Sequence, residues 1–257
     1  MNGESTRRTA EEIYGTATES GRNELERGSL ALAFSGLAAG IGMGLTGLSV
    51  AIILSAIGEG ESQQLIARLL YPLGFIVVII GRAQLFTENT LYPVAVCLQE
   101  RRWANVRDTL RLWSVVFLAN VVGALVFAAI MTKTHALRPQ ILEHLTSLGK
   151  EAAEQPGSHL FWAAVVGGWL IALVAWVVTA SHYTSGQLAM TWLLTFVVGA
   201  GRFAHCIAGS GEILSGVLAG QVAGSTYLWW LAIVTAGNIL GGVLIVTVLN
   251  FGQVHAS

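Results

Sequence analysis

Charge is what this chain has least of. Among its 257 residues, Asp, Glu, Lys and Arg make up 11% and hydrophobic residues 54%, whereas about a quarter of an ordinary soluble domain is charged. That deficit excludes such a domain and leaves an integral membrane protein. Basic character is missing too: the net charge is -1, and no dense Lys/Arg cluster exists to hold a phosphate backbone, so nucleic acid is not an expected partner. There are two cysteines, Cys97 and Cys206, far apart in apolar surroundings. They offer neither a disulfide framework nor a metal-ligand pattern, and neither cofactor nor metal is expected. The first 28 residues are polar and lack an apolar core, which marks residues 1-28 as a cytoplasmic tail and not a signal peptide.

What remains is hydrophobic sequence in spans. At about 20 residues per crossing, the length accommodates six transmembrane helices and no separate catalytic domain. The runs are Ser29 to Ile57, Leu65 to Ile80 continuing to Leu98, Leu112 to Met131, Leu160 to Ala180, Leu188 to Val198 continuing beyond it, and Tyr227 to Phe251. Residues 29-251 form the expected membrane domain, with 252-257 a short C-terminal tail. A polar turn, GEGESQQ, follows the first run, and a short surface helix is expected between Thr132 and Ser158.

Two of these runs are interrupted. The second breaks at GRAQLFTENTLYPV, where Pro93 disfavours helical backbone at Tyr92, and the fifth at GAGRFAHCIAGSGEILSG. Irregular backbone at membrane depth survives only where it is buried in protein or lines a cavity. Ionisable residues there are costly and mark functional positions by default; these are Arg82, Glu88, Arg202, His205 and Glu212. The four formal charges sum to zero, which admits two buried ion pairs or a charged vestibule. Each break opens on Gly-Arg, and three spans per half force opposite orientations, so an inverted 3+3 repeat is expected.

The remaining charges orient the chain. Arg7, Arg8, Arg22, Arg27, Arg101, Arg102, Arg107 and Arg111 fall on one side, and Arg68, Lys133, Arg138 and Lys150, read as loop residues, on the other. That asymmetry places both termini in the cytoplasm.

The two interrupted segments, GRAQLFTENT and FAHCIAG, together with NVVGAL in the third span, resemble the formate/nitrite transporter family over Ser29 to Phe251. The resemblance implies an aquaporin-like, all-α channel for small monovalent anions such as formate, nitrite or hydrosulfide, assembled as a homopentamer in a bacterial inner membrane. It implies His205 as the central pore histidine, Thr87 as its partner across the breaks, Leu85 in the cytoplasmic-side constriction, and Tyr71, Phe75 and Val198 in the outer one. Gly168 and Gly209 stand where that family tends to carry asparagine, and the four intramembrane charges depart from its formate and nitrite branches.

A dehydrated anion needs stabilisation or neutralisation in transit. Half-helix N-termini at the breaks supply N–H donors. A titratable His205 beside an apolar site suits proton-assisted passage of a weak acid. A neutral-solute channel and a non-conducting scaffold are the alternatives. An intramembrane hydrolase using Ser210 and His205 is a poor fit, because their spacing does not share a helical face, and no enzymatic activity is expected.

Overall fold

The computed structural model describes residues 8–256. Arg7 and Ser257, like the start of the N-terminal tail, lie outside the described residues. Among the described residues, all regular structure is helical: α1 (Ala10–Glu26), α2 (Ser29–Met43), α3 (Leu45–Ile57), α4 (Glu61–Arg68), α5 (Leu73–Ile80), α6 (Tyr92–Glu100), α7 (Trp103–Lys133), α8 (Pro139–Ala153), α9 (Gly157–Ala180), α10 (Thr184–Ala200), α11 (Ala208–Leu218), α12 (Gly224–Leu240) and α13 (Leu249–His255). A π-helical stretch, Gly241–Val248, joins α12 to α13. Five continuous or near-continuous segments are long and apolar enough to cross a bilayer: Ser29–Ile57, Glu61–Ile80, Trp103–Lys133, Gly157–Ala180 and Gly224–His255. The fifth expected run is the helix α10, 17 residues long, which breaks and resumes as α11.

Several boundaries move relative to the sequence reading. The first apolar run is interrupted at Gly44, where a Cβ would lie about on top of the Phe127 ring, 2.5 Å from its Cδ1. The polar turn after it is half helix, because Glu61 and the residues after it begin α4. Consequently Arg68 is not a loop residue: it sits at the end of α4 with 8% of its surface exposed. The third span starts at Trp103, since the charged WANVRDTLR segment holds neither Gly nor Pro to break a helix.

The polar tail carries the largest surprise. Residues 10–26 fold as α1, started by a capping box in which Thr9 accepts from the Glu12 amide and Glu12 accepts from the Thr9 amide. Two orphan N–H groups are thereby satisfied at the first turn. Tyr14, Ala17, Thr18 and Gly21 make its buried stripe, spaced for one helical face. That stripe packs on α6, where the Tyr14 hydroxyl donates to the Ala95 carbonyl. At the other end, the Arg111 guanidinium in α7 donates to the Leu25 and Arg27 carbonyls, closing a helix terminus that has no partner of its own. Arg22 pairs with Glu100 at 2.6 Å, and this hydrogen bond, then that from Asn105, holds the Glu100 carboxyl below its ordinary range.

The long helix α7 runs the depth of the bundle, about 46 Å at 1.5 Å per residue. It packs along α2, and the two backbones approach closely because a Cβ at Gly123 would come within 2.9 Å of the Gly40 Cα. Small residues at such a crossing let dispersion act along the whole contact. At the Lys133 end, Lys133 Nζ donates to the Leu218 carbonyl. There α8, the expected surface helix, lays Ile141, Leu145 and Gly149 against α3 and α11. The two ends of α7 thus carry different roofs, α1 at one and α8 at the other.

Candidate functional site

Both breaks are built the same way. Helix α5 ends with Gly81, Arg82 and Ala83 donating to Val77, Ile79 and Val78, and α10 ends with Gly201, Arg202 and Phe203 donating to Val197, Gly199 and Val198. These are paired Schellman-type stops, with Arg82 (φ 57°) and Arg202 (φ 53°) in the left-handed position. Glycine is the default there, because an L side chain costs roughly 1–2 kcal/mol. Further along, Asn120 Oδ1 accepts from the Phe86 amide while its Nδ2 donates to the Gly36 and Gln84 carbonyls. Asn238 does the same for the Cys206 amide and the Ala164 and Ala204 carbonyls. Each asparagine satisfies an amide and a carbonyl that the break leaves open and ties them to a carbonyl of a neighbouring helix, Gly36 in α2 or Ala164 in α9.

Aligned on these bonds, Leu85 corresponds to His205 and Thr87 to Ile207. The loops meet through one diagonal of this square: Thr87 Oγ1 lies 2.7 Å from His205 Nε2, with Thr87 fully buried and His205 2% exposed. The other diagonal, Leu85 and Ile207, is apolar and fully buried.

The imidazole's other nitrogen fixes its tautomer. His205 Nδ1 accepts from the amides of Ile207 (3.3 Å) and Ala208 (3.0 Å), so the neutral ring carries its proton on Nε2 and donates to Thr87. The ring caps α11. Of the N–H donors expected at the breaks, those of Ile207 and Ala208 at the start of α11 are therefore taken up by His205, and the positive end of α11 acts through the ring on Nε2–H.

Two cavities approach this centre from opposite ends of α7. The one under α8 measures about 190 Å³ and includes Tyr71, Val198, Arg202, His205 and Glu212 on its wall. The one under α1 measures about 440 Å³ and includes Arg82, Leu85 and Glu88. Phe75, fully buried, stands edge-on to His205 with ring centroids 5.1 Å apart and contacts Tyr71 at 5.8 Å. The residues expected at the two constrictions are thus grouped around the histidine, Tyr71, Phe75 and Val198 toward the α8 cavity and Leu85 toward the α1 cavity.

The buried ion pairs admitted by the sequence are not found among the described residues. Arg82 and Glu88 share one cavity, Arg202 and Glu212 the other, and no pairing within 4.0 Å links either couple. Arg202 contacts Glu151 of α8 instead, and Gln64 Oε1 as well. Each arginine is itself the left-handed residue that closes its helix, and the glutamate that follows it lies beyond the irregular loop. Arg68 and Glu151, which line the α8 cavity, were not singled out in the sequence, nor was Asn238. The signal for Asn238 was an amide in the middle of the apolar run of the last span, matching Asn120 in the third.

The glycines at the asparagine positions are also explained. A Cβ at Gly168 would meet the Asn238 backbone, with its Cα 2.5 Å away. At Gly209 it would meet the Trp230 ring, 2.7 Å from Cη2. Ser210 does not face the histidine: its hydroxyl donates to the Cys206 carbonyl and lies 3.0 Å from the Tyr227 hydroxyl, so no Ser–His couple exists here.

Comparison with known proteins gives a consistent result. The profile of the family described as "Formate/nitrite transporter" matches residues 11–252. Escherichia coli "Inner membrane protein YfdC" is 32% identical over 95% of this chain and 78% of its own length. A "Probable formate transporter" of Methanothermobacter thermautotrophicus is 28% identical over 85% of this chain and 82% of its own length. Among solved structures, an "FNT family ion channel" superposes with a TM-score of 0.83 at 17% identity, covering 94% of this chain and 98% of that one. A "Pentameric formate channel with formate bound" superposes with a TM-score of 0.76 at 19% identity, covering 89% and 98%. These two likenesses establish a shared fold.

Proposed function

The chain belongs to the formate/nitrite transporter family, and from that premise we infer that it passes small monovalent anions of weak acids, such as formate, nitrite or hydrosulfide, across a bacterial inner membrane. The observation that carries this reading is the 2.7 Å bond between Thr87 and His205, which joins the two broken helices between two cavities that open toward opposite ends of the bundle. The cavities serve as vestibules, and Phe75, Val198 and Leu85 form the apolar constrictions on either side of the pair. Desolvation there disfavours the charged form of a weak acid. Passage is therefore proton-assisted, with the dipole of α11 polarising Nε2–H and Thr87 relaying a hydrogen bond to the permeant species. In this reading the halves form an inverted repeat of three spans each, supported by the matching asparagines and left-handed arginines.

Arg22, Arg101, Arg102 and Arg111 gather at the α1 end, and by the excess of positive charge that end is cytoplasmic, together with both termini. The protein works as a homopentamer, as the name of its structural neighbour suggests for that channel. Apolar side chains exposed on the single chain, such as Leu118, Val122, Trp162 and Leu228, would then meet lipid or a neighbouring copy. Reconstituted into liposomes, the protein should take up formate or nitrite faster from acidic buffer. His205→Ala should lose both the flux and its pH dependence; a variant that keeps both overturns the reading.

A further inference from the structure

Two carboxyl groups are left over once the central pair and its scaffold are accounted for. Glu212 faces the α8 cavity and Glu88 the α1 cavity. Among the described residues, neither side chain has a hydrogen bond or an ion-pair partner within 4.0 Å, although arginines stand in the same chambers. Arg68 and Arg202 share the wall with Glu212, beside Tyr71, Glu151 and His159; Arg82 and Arg8 share it with Glu88, beside Glu24, Tyr92 and His182.

The position of Glu212 is built and not incidental. Its carboxyl lies against Gly47 of α3, where a Cβ would stand 2.7 Å from Oε1 and 2.9 Å from Cδ, and its backbone lies against Gly149 of α8. Two glycines on separate helices thus leave room for one glutamate. An ionised carboxylate unpaired on the wall of an anion's route repels the anion, so a bare acceptor role is self-defeating. A carboxylic acid in the same place has the opposite effect, since it holds a proton beside arginines that draw the anion in.

We propose that Glu212 and Glu88 are the proton-loading and proton-unloading groups of the passage, one in each vestibule, flanking His205. The inference rests on the anion reading above and deepens it. An anion drawn in by Arg68 and Arg202 takes the proton of the Glu212 carboxylic acid: the O–H bond on Glu212 breaks and one forms on the permeant oxygen. The neutral acid crosses Phe75, the Thr87–His205 pair and Leu85. Ionised Glu88 then accepts that proton, the permeant O–H bond breaks, and the anion leaves past Arg82. Glu212 is reprotonated, and Glu88 deprotonated, by water on their own sides. One anion and one proton move together, and every step is reversible.

The test uses full-length protein in liposomes with a trapped pH dye and formate as the probe, assembly being checked by size-exclusion chromatography. Glu212→Gln and Glu88→Gln should each lower formate-driven proton entry by about a hundredfold. Glu212→Asp, which keeps an acid at the site, should retain most of it and still respond to acidification. Glutamine variants that carry formate and protons at the wild-type rate would overturn the proposal, as would equal impairment by aspartate and glutamine, the mark of a packing role. If His205→Ala blocks formate while Glu212→Gln does not, this inference alone falls. If the unaltered protein moves no formate or nitrite, both readings fall together.

Discussion

The two helix breaks are one scaffold used twice with different contents. Each has a left-handed arginine and an asparagine from a later span that holds three backbone groups. Yet the first break presents Leu85 and Thr87 where the second presents His205 and Ile207. The backbone demand is symmetric because both halves must satisfy open N–H and C=O groups at membrane depth. The chemistry is asymmetric because one polar contact at the crossing suffices, and a second would add polar groups to desolvate.

The largest effect should come from attacking what the breaks share. Asn120→Leu and Asn238→Leu each leave a break amide and a break carbonyl unsatisfied, and each should destabilise the protein by about 3 kcal/mol or more, seen as lost thermal stability in detergent. Comparable losses sharpen the equivalence; a large loss at one site only breaks it. A second experiment transposes what differs. His205→Leu alone should cut anion flux about a hundredfold. Adding Leu85→His, Thr87→Ile and Ile207→Thr moves the polar diagonal to the other loop and should recover most of that flux. No recovery would mean that the surroundings, such as Phe75 against His205, matter as much as the pair. The smallest effect separates the arginines. Arg82→Gly should raise stability by about 1 kcal/mol by relieving left-handed strain. Arg202→Gly should gain less, because it also loses the exposed contact with Glu151, worth up to about 1 kcal/mol. Thermal denaturation of the two variants side by side checks the difference.

Much of this was legible in the sequence, for reasons that differ by residue. The spans announce themselves by hydrophobicity, and the two interrupted segments by charge and glycine inside apolar runs. His205 and Thr87 stood out because each sits in a segment with a recognisable neighbourhood. Helix α1 was hidden by its own polarity, although Thr9 and Glu12 spell a capping box and the residues from Tyr14 to Gly21 keep helical spacing. Arg68 was misplaced because a charge at a helix end looks the same in sequence as one in the adjoining loop. The pairing of Arg202 with Glu151 joins residues on separate elements, which no local pattern encodes. The room for Glu212 could not be read either, since it is made by glycines on α3 and α8 that only the fold brings together.

Helix α1 leans over one mouth of the molecule, contributing Ser20 and Glu24 to its wall beside Arg8 just ahead of it, and is clipped in place by Arg111. A preparation trimmed to the hydrophobic portion would lose that awning and with it several of the charges an arriving solute meets first. Permeability measured on such a shortened protein would describe an unroofed doorway, so the full-length chain is the one whose selectivity is worth recording.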